Sequence, residues 1–174
     1  MAVAIIPQAD AVRFDASLLP DSMGTQISSF THENGDLVIT HPDITQAIAE
    51  SAIRSQEDHD AILADRRNAL VEELWVAIRD KAESYMVKED QMALIDFEAN
   101  GRVRSDGTDE SFTATGLSMM RQLRVWREQI WEHYYIEKAK ILNGDDVDIT
   151  AAAEAMPAVP YTWQHFFNED GTLK

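Results

Sequence analysis

Cysteine is absent from the 174 residues. That excludes disulfides, thiolate metal sites and a cysteine nucleophile, and it reads as a compartment that is reducing or indifferent to redox. Bases are scarce: 15 Lys and Arg stand against 31 Asp and Glu, a net charge of −16. A general nucleic-acid binder draws its affinity from neutralised phosphates, so this balance argues against one, and an anionic membrane surface is disfavoured on the same ground. No stretch approaches the roughly 18–20 apolar residues of a membrane span. The opening MAVAIIPQADAVRF lacks a preceding positive region, and Pro7 and Asp10 break any signal helix, so the chain is expected to be soluble and not secreted by a signal peptide. Catalytic signatures are missing too. There is no H-E-x-x-H, no G-x-x-x-x-G-K-[ST], no G-x-G-x-x-G and no G-x-S-x-G. None of the five histidines has Glu three residues before it, so the paired ligands of a carboxylate-bridged di-iron site are lacking. The expectation is no catalytic residue, no metal and no cofactor.

What is present points to one helical domain with arms. Hydrophobic residues make up 45% of the chain, enough for a single core. Neither Pro nor Gly occurs from Asp43 to Asn100, so regular structure is expected in the middle of the chain, with extended arms over 1–24 and 145–174 flanking a core domain over 25–144. Within that core, β-branched and aromatic residues flank Asn34-Gly35, which predicts a tight hairpin with strands at Gln26–His32 and Asp36–Thr40. A lone hairpin is marginal in water, so it must lie against helices or join a sheet with another chain.

His41-Pro42-Asp43 is expected to open a helix, with Pro in its first turn. Leu63, Leu70, Leu74, Ala77 and Ile78 then form a one-faced helical stripe, and a shorter segment from Glu89 ends at Asn100-Gly101. Residues 102–110 read as a loop. The longest helix is expected from Thr115 to Leu142, about 40 Å if straight. Met119, Leu123, Trp126, Ile130 and Tyr134 line one side of it, and Trp131, Tyr135 and Leu142 a neighbouring face. Its apolar sector is wider than one helix contact needs, so it is either central to a bundle or covered by a further partner. Acids dominate Asp43–Glu98, whereas Leu117–Leu142 carries Arg121, Arg124, Arg127, Lys138 and Lys140, so the basic helix should lie against acidic ones. The fold class expected is mainly α: three or four helices around Trp126, Ile130, Leu70 and Leu74, a short N-terminal β-hairpin and extended terminal arms.

Ligand-like clusters have plainer readings. Consecutive residues on a helix point in different directions, so Glu57-Asp58-His59-Asp60 is a solvated face. Asp145, Asp146 and Asp148 lack the Gly and terminal Glu of a calcium loop. His133, between Trp131 and Tyr134, reads as a polar tip at a core edge, and Arg121, Arg124 and Arg127 as a salt-bridge face. The rings Tyr161, Trp163, Phe166 and Phe167 follow Pro157 and Pro160 without helical or alternating period. That much ring surface is not left in water. A groove on another subunit is the expected home, with Trp131 and Tyr135 as further contacts, and deletion of 156–174 is expected to spare the fold while abolishing assembly.

Arg66-Arg67-Asn68-Ala69-Leu70 followed by Trp75, then Val125-Trp126-Arg127-Glu128-Gln129-Ile130, then Pro157-Ala-Val-Pro160-Tyr-Thr-Trp163, resembles the layout of bacteriophage tail-assembly and tail-fibre assembly chaperones over about Ala64–Trp163. The resemblance implies a non-catalytic assembly or virion protein, located in the virion or host cytoplasm. Its partners would be other virion or assembly proteins or a second copy, in a homo- or hetero-oligomer. The rival reading is a small α-helical enzyme or ligand-binding protein with a pocket lined by Trp126, Trp131, Tyr134 and His133.

Overall fold

The computed structural model describes residues 1–23 and 27–174. They are mainly helical, and the chain divides into two compact units, Met1–Asp65 and Arg66–Lys174.

The first unit is built on alternation. In β1 (Ala2–Ile6) Ala4 and Ile6 are buried while Val3 and Ile5 are exposed, the period of a half-covered strand. It is followed by the single-turn helix α1 (Gln8–Ala11). Strands β2 (Ser28–Thr31) and β3 (Leu37–His41) form the expected hairpin, although Gln26, its anticipated first residue, lies outside the described residues, as do Gly24 and Thr25 at the expected 24/25 boundary. β1 pairs antiparallel with the far side of β3, giving the order β1-β3-β2. Residues 2–6 are thus a strand hydrogen-bonded into the sheet. They supply from the same chain the support that a lone hairpin lacks. The turn differs from the tight two-residue form. Gly35 N–H bonds to His32 O, His32 N–H bonds to Asp36 O, and only Gly35 has positive φ (87°). This is a three-residue loop with a glycine bulge, and it spares Asn34 the left-handed region.

Helix α2 (Gln46–Ser51) begins later than Pro42. The Asp43 N–H is taken by His41 Nδ1 at 3.1 Å, which holds 41–43 as a turn, and Thr45 caps the helix through Ile48 N–H. Ala49, Ala52 and Ile44 then close over Ala4, Ile6 and Ile39 with Leu19 and Met23.

Helix α3 (Gln56–Tyr85) starts on a Ser55 cap and continues into the second unit. It is followed there by α4 (Lys88–Asn100) and α5 (Ala114–Asn143), close to the expected limits. Gly101 and Gly144, with φ of 69° and 90°, stop the last two. Residues 102–110 are not a plain loop, because Arg102–Val103 (β4) pairs with Asp109–Glu110 (β5). An Ala-rich segment forms α6 (Ile149–Glu154), capped by Asp148.

The core joins Val71, Leu74 and Ile78 of α3, Leu94 of α4, and Met120, Leu123, Trp126, Ile130 and Tyr134 of α5. Leu70, expected at its centre, is 40% exposed, and Val71 takes the inward position. The expected basic-to-acidic pairing appears where Arg124 of α5 bonds Glu98 of α4. No described helix is long and apolar enough to cross a membrane.

Candidate functional site

The expected contact surface separates into rings the chain keeps and rings it displays. Phe166, assigned above to another subunit's groove, is fully buried in this chain's own core, edge-on to Phe112 at 6.0 Å. Met156 and Leu173 are buried with it. A 3₁₀ turn at Trp163–Phe166 and the bridge between Phe167 and Leu173 fold the segment back, although its spacing follows neither helical nor strand period. Trp163 packs beside Phe97 and Phe167, Arg102 lies over the Phe167 ring at 5.2 Å, and Tyr161 donates to Gln122 Oε1. Phe166 is therefore spent within this chain, and Tyr161, Trp163 and Phe167 are half-buried around it.

Trp131 and Tyr135 remain in view, 38% and 58% exposed. They sit one turn apart on the second apolar face of α5. The antiparallel neighbour needed to cover that face is only partly supplied, by Trp75 of α3. Trp75 stacks on Trp131 at 4.9 Å and 16° between planes, Trp131 stacks on Tyr135 at 6.0 Å, and the edges of Tyr134 close the group beneath. The result is a ladder of three rings with one end in water.

Beside the ladder lies an open cleft of about 240 Å³. Its floor is Trp75, Ile78, Ala82, Trp126, Ile130 and Trp131, and its rim is Arg79, Glu83, Lys88, Gln91 and Arg127. Trp126 is fixed by donating its indole N–H to Pro157 O at 2.8 Å. Arg79 is engaged by Asp80, whose carboxylate pushes its pKa up. Lys88 and Arg127 make no ion pair among the described residues, so two unpaired cations stand at the rim against the one carboxylate, Glu83.

Comparison with family models, curated proteins and solved structures finds no match.

The remaining sequence candidates fall elsewhere. His133 does not line the cleft, since its Nε2 meets Ala152 O at 2.7 Å and ties α5 to α6. Tyr134 is buried beneath the ladder. Asp148 is spent as a helix cap, and among the described residues no three His, Asp or Glu side chains gather as a metal site. Sequence reasoning named Trp75 only within the family resemblance and passed over Lys88 and Gln91. Trp75 lies one residue past the Leu74 stripe, and the other two come from the start of a different helix.

Proposed function

We propose that this protein is a non-enzymatic assembly protein, and that its cleft on α3, α4 and α5 receives a partner protein. The occupant we propose is a segment carrying an aromatic or branched aliphatic side chain flanked by carboxylates. The observation that carries this reading is the half-exposed stacked ladder beside an apolar floor with Lys88 and Arg127 at the rim. Rigid Trp and Tyr rings and Arg are the residues that anchor interfaces, and a cationic rim on an acidic chain selects acidic flanks.

The volume argues against the rival small-molecule reading. About 240 Å³ lies below the ~300–1,000 Å³ usual for such sites, and Glu83 is the one carboxylate among the lining residues. We place the protein, on the resemblance of its Arg66–Leu70, Val125–Ile130 and Pro157–Trp163 segments, in a bacteriophage tail, baseplate or connector, or among the chaperones that assemble one. On that reading it works in the virion or the host cytoplasm.

Selection of peptides on the immobilised full chain tests the cleft. The expected consensus is one large apolar residue between Asp or Glu, with binding lost in Trp131→Ala and shifted toward basic flanks in Arg127→Glu. A consensus without acidic flanks, or equal binding by the three proteins, would overturn the reading.

A further inference from the structure

The two outer edges of the β-sheet are treated differently. On the β1 side the Gln46 side chain lies along the strand like a piece of backbone. Its Oε1 accepts Ile5 N–H at 3.0 Å and its Nε2 donates to Ile5 O at 2.8 Å, while Glu50 Oε1 takes the other amide hydrogen at 3.0 Å. The middle of that edge is therefore occupied. On the β2 side, Ser28–Thr31 carries no charge and no proline, the usual devices that blunt an edge, and all four residues are exposed. No described strand pairs with it beyond β3.

The hydrogen-bond phase fixes which groups β2 offers. Because both polar groups of Ile5 face Gln46, Ile5 and Val38 are a non-hydrogen-bonded pair, and alternation turns Val38 toward Phe30. The bond from His32 N–H to Asp36 O has the same phase. The N–H and C=O groups of Ser29 and Thr31 consequently point away from β3, into the open edge.

We propose that β2 pairs antiparallel with β2 of a second copy of this chain, about a twofold axis at Phe30. In that register Ser29 exchanges both backbone bonds with Thr31 of the copy, and Thr31 with its Ser29, so each outward group is satisfied. Phe30 then faces its own counterpart in a non-hydrogen-bonded pair, where side chains approach closest. Phe30, 56% exposed in the single chain, already lies in line with buried Val38 and half-exposed Ile5 on one face of the sheet, and pairing continues that apolar row across the axis. Charge selects the arrangement as well. Antiparallel pairing carries the two turns, each with Glu33 and Asp36, to opposite ends, so an uncharged strand is what two strongly acidic chains bring together. This interface involves neither the cleft nor its ladder and stands whatever binds there.

The test uses the full chain, whose lack of native cysteine makes single-cysteine variants unambiguous. Sedimentation velocity over a concentration series should show a monomer–dimer equilibrium. Thr31→Pro removes an N–H that β3 does not use, and it should leave the circular dichroism spectrum unchanged while weakening dimerisation at least tenfold. Phe30→Asp should do the same by opposing two carboxylates. Phe30→Cys should form a disulfide-linked dimer on mild oxidation, whereas Ser29→Cys, on the other face and out of register with its copy, should not. A chain that stays monomeric throughout the series, a dimer indifferent to Thr31→Pro, or equal cross-linking at positions 29 and 30 would overturn the proposal.

Discussion

Asp15 shows how much one side chain organises in the first unit. Its carboxylate accepts Ser17 N–H at 2.9 Å and Ser17 Oγ–H at 2.7 Å and pairs with Arg54, and these contacts, the serine bonds first, hold its pKa below the ordinary 3.8. Since the folded value lies under the unfolded one, its contribution to stability is complete above about pH 3.8 and is lost as the pH falls through the lower folded value. The Arg54 amide, bonded to Arg13 O at 2.9 Å, should lose protection relative to its intrinsic exchange rate over that window in the native chain, and Asp15→Asn should remove that pH-dependent loss. In the second unit the contrast between kept and displayed rings is measurable. Phe166→Ala should cost about 3–5 kcal/mol, the range for a buried aromatic, while Tyr135→Ala should stay within about 0.5 kcal/mol. Ile130→Asp should destabilise by several kcal/mol as an unpaired buried charge, against little for exposed Glu132→Lys. Urea denaturation of the four variants checks all of these, and equal shifts for the two rings would place them wrongly.

Among the elements, α5 depends on a glycine that a propensity argument would replace. A Cβ on Gly116 would stand 2.0 Å from Lys174 O and 2.6 Å from the Phe112 ring, so the segment that returns through Phe166 and Leu173 lies directly on the first turn of the helix. Gly116→Ala should therefore lower the melting temperature, although Ala is the better helix former by about 1 kcal/mol. Deleting 156–174 should abolish the cooperative melt, the reverse of what its Pro-rich, aperiodic sequence suggests. The long helices were legible because Leu74, Ile78, Leu123, Trp126 and Ile130 recur at helical spacing and glycines mark two of the ends. The hairpin was legible from Asn34-Gly35, but its third strand was not, because Ala2–Ile6 shows no partner until β3 is placed beside it. The returning segment was illegible for a related reason. Phe166 is buried by a 3₁₀ turn and a single bridge, local forms with no sequence period. Of the cleft, Trp126 and Trp131 could be read from the α5 stripe, whereas Trp75 and Lys88 join them only once α3 and α4 are packed.

At the scale of the molecule the two units have separate cores and unequal reporters. All four tryptophans (Trp75, Trp126, Trp131 and Trp163) lie in Arg66–Lys174, so emission follows that unit's core and is silent about the sheet. Phe30→Asp and Thr31→Pro should leave the emission maximum unmoved, and a spectral shift in either variant would mean that the substitution had disturbed more than the β2 edge. The Gln46 amide sets a different kind of limit, one of valence. In the proposed pairing, one open β-edge lets two copies close on themselves and growth stops at two. With both open, each copy presents a donor at either side, and a closed pair becomes a link in a ribbon without end. Gln46→Ala, which removes both bonds to Ile5 without adding a charge at the edge, should turn a clear solution turbid on standing with fibrillar light scattering, and Thr31→Pro in the same chain should keep it clear.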